Sequence, residues 1–119
     1  MEPVFKYAET AKTAYILRQG SIINQISEMD RYELTGTNVI FGAGELLLEA
    51  KEGYPFFRSK DVFVSEGSAY EEFPKEKLIA LFQSPKLGYA VAKTVAISLL
   101  KVNQIFERRC KQLSKSAQL

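Results

Sequence analysis

The chain contains no histidine and only one cysteine. Without imidazole it cannot build Ser-His-Asp or Cys-His nucleophilic machinery, nor the zinc and iron sites that depend on histidine ligands. Catalysis would have to rest on Glu, Asp, Lys, Tyr or Cys110, and no enzyme is expected. A lone cysteine forms no intrachain disulfide, which agrees with a reducing compartment. Charge of one sign is also lacking: 16 basic and 14 acidic residues leave a net charge of +2. That is too little for a nucleic-acid footprint, and the nearest approach to a basic cluster is Arg108-Arg109 with Lys111. No apolar run reaches the roughly 18 residues of a membrane-spanning helix. Met1-Glu2-Pro3 opens without the basic region and apolar stretch of a signal sequence. A cytoplasmic location is expected.

What is present is an ordinary globular balance. The 119 residues are 46% hydrophobic and 25% charged, enough for one domain (1–119) with a real core. No internal repeat, low-complexity segment or dividing linker is visible. The first two thirds carry short β-branched and aromatic runs between turn signals. Tyr15-Ile16-Leu17-Arg18, Gln19-Gly20 and Ser21 to Ile26 predict a hairpin turning at Gly20. Tyr32 to Thr35, Asn38 to Phe41, Asp61 to Ser65 and Ala69 to Phe73 predict further strands. Strands at this spacing point to a sandwich or small barrel over residues 1–73.

After Phe73 the period changes from two to that of a helix. Pro74 opens a predicted helix over 74–83. Ser84-Pro85 opens a second, over 85–113, with serine as N-cap and proline at the first helical position. Leu87, Val91, Val95, Leu99, Val102 and Phe106 recur in steps of four and three, one apolar face of a long helix. Val91, Val95, Leu99, Val102 and Phe106 are the candidate dimer or partner interface.

The most informative stretch is Gly42-Ala43-Gly44-Glu45-Leu46-Leu47-Leu48, a glycine-rich turn into a short helix near 44–50. Backbone N–H groups at a helix start attract anions, and glycines let a ligand approach the main chain. Glu45 lies in the first turn, where its carboxylate can accept hydrogen bonds from hydroxyls. Tyr54-Pro55-Phe56-Phe57-Arg58-Ser59 follows with a single arginine. Acid and guanidinium around such a turn suit a ligand with a sugar and a phosphate. The ligand-binding candidates are Gly42, Gly44, Glu45, Leu46, Arg58 and Ser59. Two bland readings stand beside this: Glu45 as a solvated first-turn carboxylate, and Arg58 paired with a neighbour such as Asp61.

The order of strands, glycine turn, short helix, strands and two helices resembles the cyclic nucleotide-binding domain family of the bacterial catabolite-activator type. Tyr15 to Ile22 is similar to its glycine hairpin, Gly44-Glu45-Leu46-Leu47-Leu48 to the core of its phosphate-binding cassette, and Phe73 to Leu78 to the junction that closes its jelly roll. Pro55 with Arg58-Ser59 is similar to a loosened form of the cassette's Pro-Arg-small ending. The resemblance implies a mainly β jelly roll with C-terminal helices, no catalysis and no cofactor, and regulation by a cyclic nucleotide or cyclic dinucleotide. It implies that Glu45 accepts a ribose hydroxyl, that the amides of Gly44, Glu45 and Leu46 face the cyclic phosphate, and that an arginine pairs with it.

The departures are specific. The family's arginine directly follows the proline, whereas Phe56 takes that place here and Arg58 lies about 6.6 Å further along an extended strand. Period two puts Phe56 and Arg58 on one face, with Phe56 at the phosphate. The contact then survives only where a bulge or the insert Glu49–Gly53 shifts the register, or with Lys51 as a substitute charge. Few residues precede the first hairpin, and no helix-turn-helix follows, so direct DNA binding by this chain is not expected. Two functions follow: a cyclic nucleotide-responsive regulatory domain, or a ligand-free scaffold of the same fold that dimerises or joins an assembly through its last helix.

Overall fold

The computed structural model describes residues 2–117. Among them, five strands and three helices follow in the order β1 (Thr13–Gln25), β2 (Arg31–Gly36), β3 (Val39–Phe41), α1 (Gly44–Glu52), β4 (Asp61–Val64), β5 (Ala69–Pro74), α2 (Lys75–Leu81) and α3 (Pro85–Ala117). All strand pairs are antiparallel, and β1 is the spine of each. Its first half pairs with β3 (Tyr15 opposite Phe41) and β5 (Tyr15 opposite Glu72). Its second half pairs with β2 (Asn24 opposite Tyr32) and β4 (Asn24 opposite Val62). This is the antiparallel jelly roll that the resemblance implies, with the helices gathered after it.

The hairpin predicted at Gly20 is absent. Residues 13–25 form one continuous strand of 13 residues. The pairing to β5 slips between Leu17 and Gln19, and Gly20 takes φ +117°. A bulge with a left-handed residue re-aims a strand without reversing it, so β1 passes from one layer to the other here. A Cβ on Gly20 would meet the Cα of Ser68 at 2.8 Å, which fixes glycine at this corner.

Two apolar clusters hold the layers. Phe5, Tyr15, Leu17, Ile22, Phe41 and Val62 fill the interior of the roll. Leu46 of α1, Leu78 of α2 and Val91 of α3 pack with Ala14, Ile40 and Phe73, tying the three helices to the sheet. The radius of gyration is 15.7 Å, above the roughly 13–14 Å of a compact domain this long. The excess comes from α3: 33 residues at about 1.5 Å each make a rod of about 50 Å.

The α3 rod lies against β2 and β3, turning Val91, Thr94, Ser98, Val102 and Ile105 inward. The stripe predicted for a partner is therefore divided. Val91 is 2% exposed and belongs to the domain's own core, whereas Val95, Leu99 and Phe106 are 47%, 60% and 68% exposed. Small polar Thr94 and Ser98 hold the inward positions because they face a cleft rather than close-packed carbon. No helix among the described residues is long and apolar enough to cross a membrane.

Candidate functional site

Gly42 and Gly44 lie in the same turn for different reasons. Gly42 has φ +70°, and a Cβ there would press on Phe5, Tyr15 and Arg58 at 3.1–3.2 Å. Its backbone path requires glycine. Gly44, the first residue of α1, has no positive φ, and a Cβ there would meet nothing within 4 Å. The fold makes no demand for glycine at 44; the open space over it belongs to a cleft. The first N–H groups of α1 have no acceptor within the helix, and the side chain of Ala43 makes no cap. Glu45 stands in this first turn, while the side chain of Leu46 is 1% exposed in the core, leaving only its amide near the turn.

Arg58 comes to the same place. One terminal nitrogen donates to Glu45 Oε2 at 2.9 Å and to the carbonyl of Gly42 at 2.7 Å, and the other donates to the carbonyl of Thr13 at 2.6 Å. The guanidinium carbon lies 4.0 Å from the centre of the Phe5 ring, a cation–π contact. Arg58 is 3% exposed. The register argument that put Phe56 at this position fails because residues 56–62 do not continue as one strand. They pair instead with the N-terminal segment: Ala11 N–H to Phe56 O, Arg58 N–H to Glu9 O, Ala8 N–H to Arg58 O, and Val4 N–H to Val62 O. This two-sided backbone pairing delivers Arg58 inward. Phe56 instead stacks on Tyr54 with ring centres 5.2 Å apart. Asp61 does not pair with Arg58; it accepts the N–H of Tyr7. Lys51 and Ser59 are exposed, and neither lines the cleft.

The cleft has a volume of about 170 Å³. The glycine turn and Glu45 form one wall, Val91, Thr94, Val95 and Ser98 of α3 a second, and Asn24, Val62 and Lys60 the floor. Lys60 donates to the hydroxyl of Tyr32 at 2.7 Å. Asn24 is 4% exposed, and its Nδ2 has no hydrogen-bond partner. A buried donor left unpaired costs about 1–3 kcal/mol. Sequence reasoning missed Asn24, Lys60, Thr94 and Ser98. Only the strand register and the rotation of α3 bring them together, although a lone asparagine beside Ile22 and Ile23 was a polar break in an apolar run. Among the described residues, no group of three or more Asp, Glu or Cys side chains is placed to hold a metal.

No protein-family model matches the chain, and no curated protein matches it either. Solved structures do. The c-di-GMP responsive global regulator CLP of Xanthomonas campestris superposes with a TM-score of 0.68 at 24% identity, covering 90% of this chain and 54% of that one. The catabolite activator protein of Thermus thermophilus gives 0.55 at 20% identity, covering 95% and 51%. A protein described with a cyclic-GMP-dependent signalling pathway that regulates bacterial phytopathogenesis gives 0.55 at 21% identity, covering 87% and 78%. The fold is that of a cyclic nucleotide-binding domain. This cyclic nucleotide-binding fold spans about half the length of the first two proteins. Within it, the glycine turn, the start of α1 and Arg58 come together, and Val91, Thr94, Val95 and Ser98 of α3 face the turn across the cleft.

Proposed function

We propose that this chain is a non-enzymatic regulatory domain that binds a cyclic nucleotide or cyclic dinucleotide in the cleft between the cassette and α3. The observation that carries this is the meeting of Glu45 and Arg58 at 2.9 Å beside a glycine that the backbone does not need. A guanidinium matches phosphate oxygens in pairs, a first-turn carboxylate accepts ribose hydroxyls, and the amides of α1 add an anion-favouring field. The likeness to c-di-GMP responsive and catabolite-activator regulators supports the same reading.

The mechanism follows from space. A cleft of about 170 Å³ is smaller than the roughly 300–1,000 Å³ of small-molecule pockets. A nucleotide entering it must displace Glu45 from part of Arg58 and move α3 away from the turn. Ligand affinity is then coupled to the position of α3, and binding shifts the population toward the arrangement that holds the ligand best. A cytoplasmic location and a homodimer or assembly built on the exposed face of α3 complete this reading.

One observation favours a second reading, a ligand-free scaffold. Three of the five N–H donors of Arg58 are already engaged by Glu45 and two carbonyls, and Leu99 and Phe106 offer α3 to a partner. Calorimetry with cyclic AMP, cyclic GMP and cyclic di-GMP decides between the two. Saturable binding, weakened in Glu45→Ala and Gly44→Ala chains that remain folded, supports the sensor. No saturable heat with any of the three leaves the scaffold.

A further inference from the structure

We propose that Asn24 and Lys60 form a donor pair on the floor of the cleft that selects a guanine base over adenine; this rests on the cleft being a cyclic nucleotide site. Asn24 occupies an inward position of β1, two residues from Ile22, which is fully buried. On one side it faces Tyr32 of β2, and on the other Val62 of β4. Such a slot calls for an apolar side chain, since directly opposed residues share a face and this face is the core. An amide there with its Nδ2 unpaired and 4% exposure is a group waiting for an acceptor that the protein does not supply.

Lys60 stands immediately before β4, and its ammonium reaches across β1 to the hydroxyl of Tyr32 at 2.7 Å. That bond uses one of three N–H donors. Lys60 and Asn24 both line the cleft, so two donor-bearing groups share it with Glu45, whose pairing with Arg58 suits sugar and phosphate. A guanine edge offers two acceptors, O6 and N7, whereas the matching edge of adenine offers the acceptor N7 and the donor N6. The amide alone could serve either base by presenting both its groups. The ammonium beside it has no acceptor to give, and adenine's amino group would meet it donor to donor.

The test is titration of the full chain with cyclic GMP and cyclic AMP, for the wild type, Asn24→Val and Lys60→Met. The wild type is expected to prefer cyclic GMP by about tenfold or more, the discrimination of one good base contact. Both variants should lose most of that preference through weaker cyclic GMP binding, while cyclic AMP affinity stays within about threefold. Without ligand, Asn24→Val should melt no lower than the wild type, which separates loss of recognition from loss of fold. A wild type that prefers cyclic AMP, or variants that bind with an unchanged ratio, would overturn the base-selecting role while leaving the site intact. A wild type that binds neither nucleotide removes this role, and the site falls with it when cyclic di-GMP does not bind either.

Discussion

Glu45 and Arg58 are 13 residues apart in the chain and meet at 2.9 Å, with the arginine side chain 2% and the glutamate side chain 20% exposed. The arginine is thus a brace that ties Glu45 to the carbonyls of Gly42 and Thr13. Removing the charge leaves Glu45 and two carbonyls without their donor, so Arg58→Met should lower unfolding free energy by about 3–5 kcal/mol. Glu45→Gln removes the counter-charge of a buried guanidinium but keeps an acceptor, and the carbonyls of Gly42 and Thr13 still hold the cation, so it should cost less, about 1.5–3 kcal/mol. Urea unfolding of both variants measures the difference. Equal losses would mean that the guanidinium is not the brace.

Gly44 separates fold from function. With open space where its Cβ would stand, Gly44→Ala should be as stable as the wild type or gain up to about 1 kcal/mol from helix propensity. The added methyl enters the region a ligand must approach, so binding of any cyclic nucleotide should weaken by roughly tenfold or more. Melting temperature and calorimetry on the same sample check both halves.

The residue pattern conveys the fold because strand runs, turn glycines and the change of period after Phe73 are local signals. It also conveys the approach of an acid and an arginine to one glycine turn. It misplaces Arg58 because the pairing of residues 56–62 with 4–11 is non-local, and Val4 to Ala11 carries no periodic signal of its own. Gly20 reads as a reversal because a bulge that turns a strand between layers leaves the same glycine mark as a hairpin. On α3, steps of four and three through Val95 and Leu99 describe the apolar face, but the packed face runs through Thr94 and Ser98. Hydrophobicity passes over a helix surface that borders an open cleft.

Ala8 lies in the left-handed region at φ 71°, and its N–H holds the carbonyl of Arg58 at 2.8 Å. A left-handed L-residue costs roughly 1–2 kcal/mol, partly offset by the entropy glycine would lose. Ala8→Gly should therefore stabilise the domain by about 0.5–1 kcal/mol. Ala8→Val should destabilise it by more than about 1 kcal/mol. Shifts of the urea midpoint in opposite directions, at constant slope, are the expected result.

The far end of α3 is fastened by Arg109, whose Nε donates to Asp30 Oδ2 at 2.9 Å. That hydrogen bond is the largest influence on Asp30; with help from Ser27, and against burial, it holds the carboxyl below its ordinary value of 3.8. A depressed folded-state pKa means the contact contributes fully above the ordinary carboxylate range and is lost as pH falls through the lowered value. A spin label on Cys110, next to Arg109 and exposed, should gain mobility in that acid window. In Asp30→Asn the label should be mobile already at neutral pH, with no acid step.

The outer face of α3 bears Leu99 at 60% and Phe106 at 68% exposure, beside Val95 at 47%. These positions follow helical spacing down the solvent-facing side of a rod whose other side packs on β2 and β3, so two copies can align them without opening either core. A stable pair buries roughly 1,200–2,000 Å² in total, which a helix of 33 residues can approach along its length. Sedimentation should give a mass above the 13.4 kDa of one chain. Leu99→Glu with Phe106→Glu should return it to that mass. Because both side chains already face water in a single copy, the double variant should keep the melting temperature of the isolated domain, and any loss of helicity would count against a dimer seam. A wild type that stays at 13.4 kDa at high concentration would assign this face to a different protein, since solvent alone gives no reason for apolar residues to recur there at helical spacing.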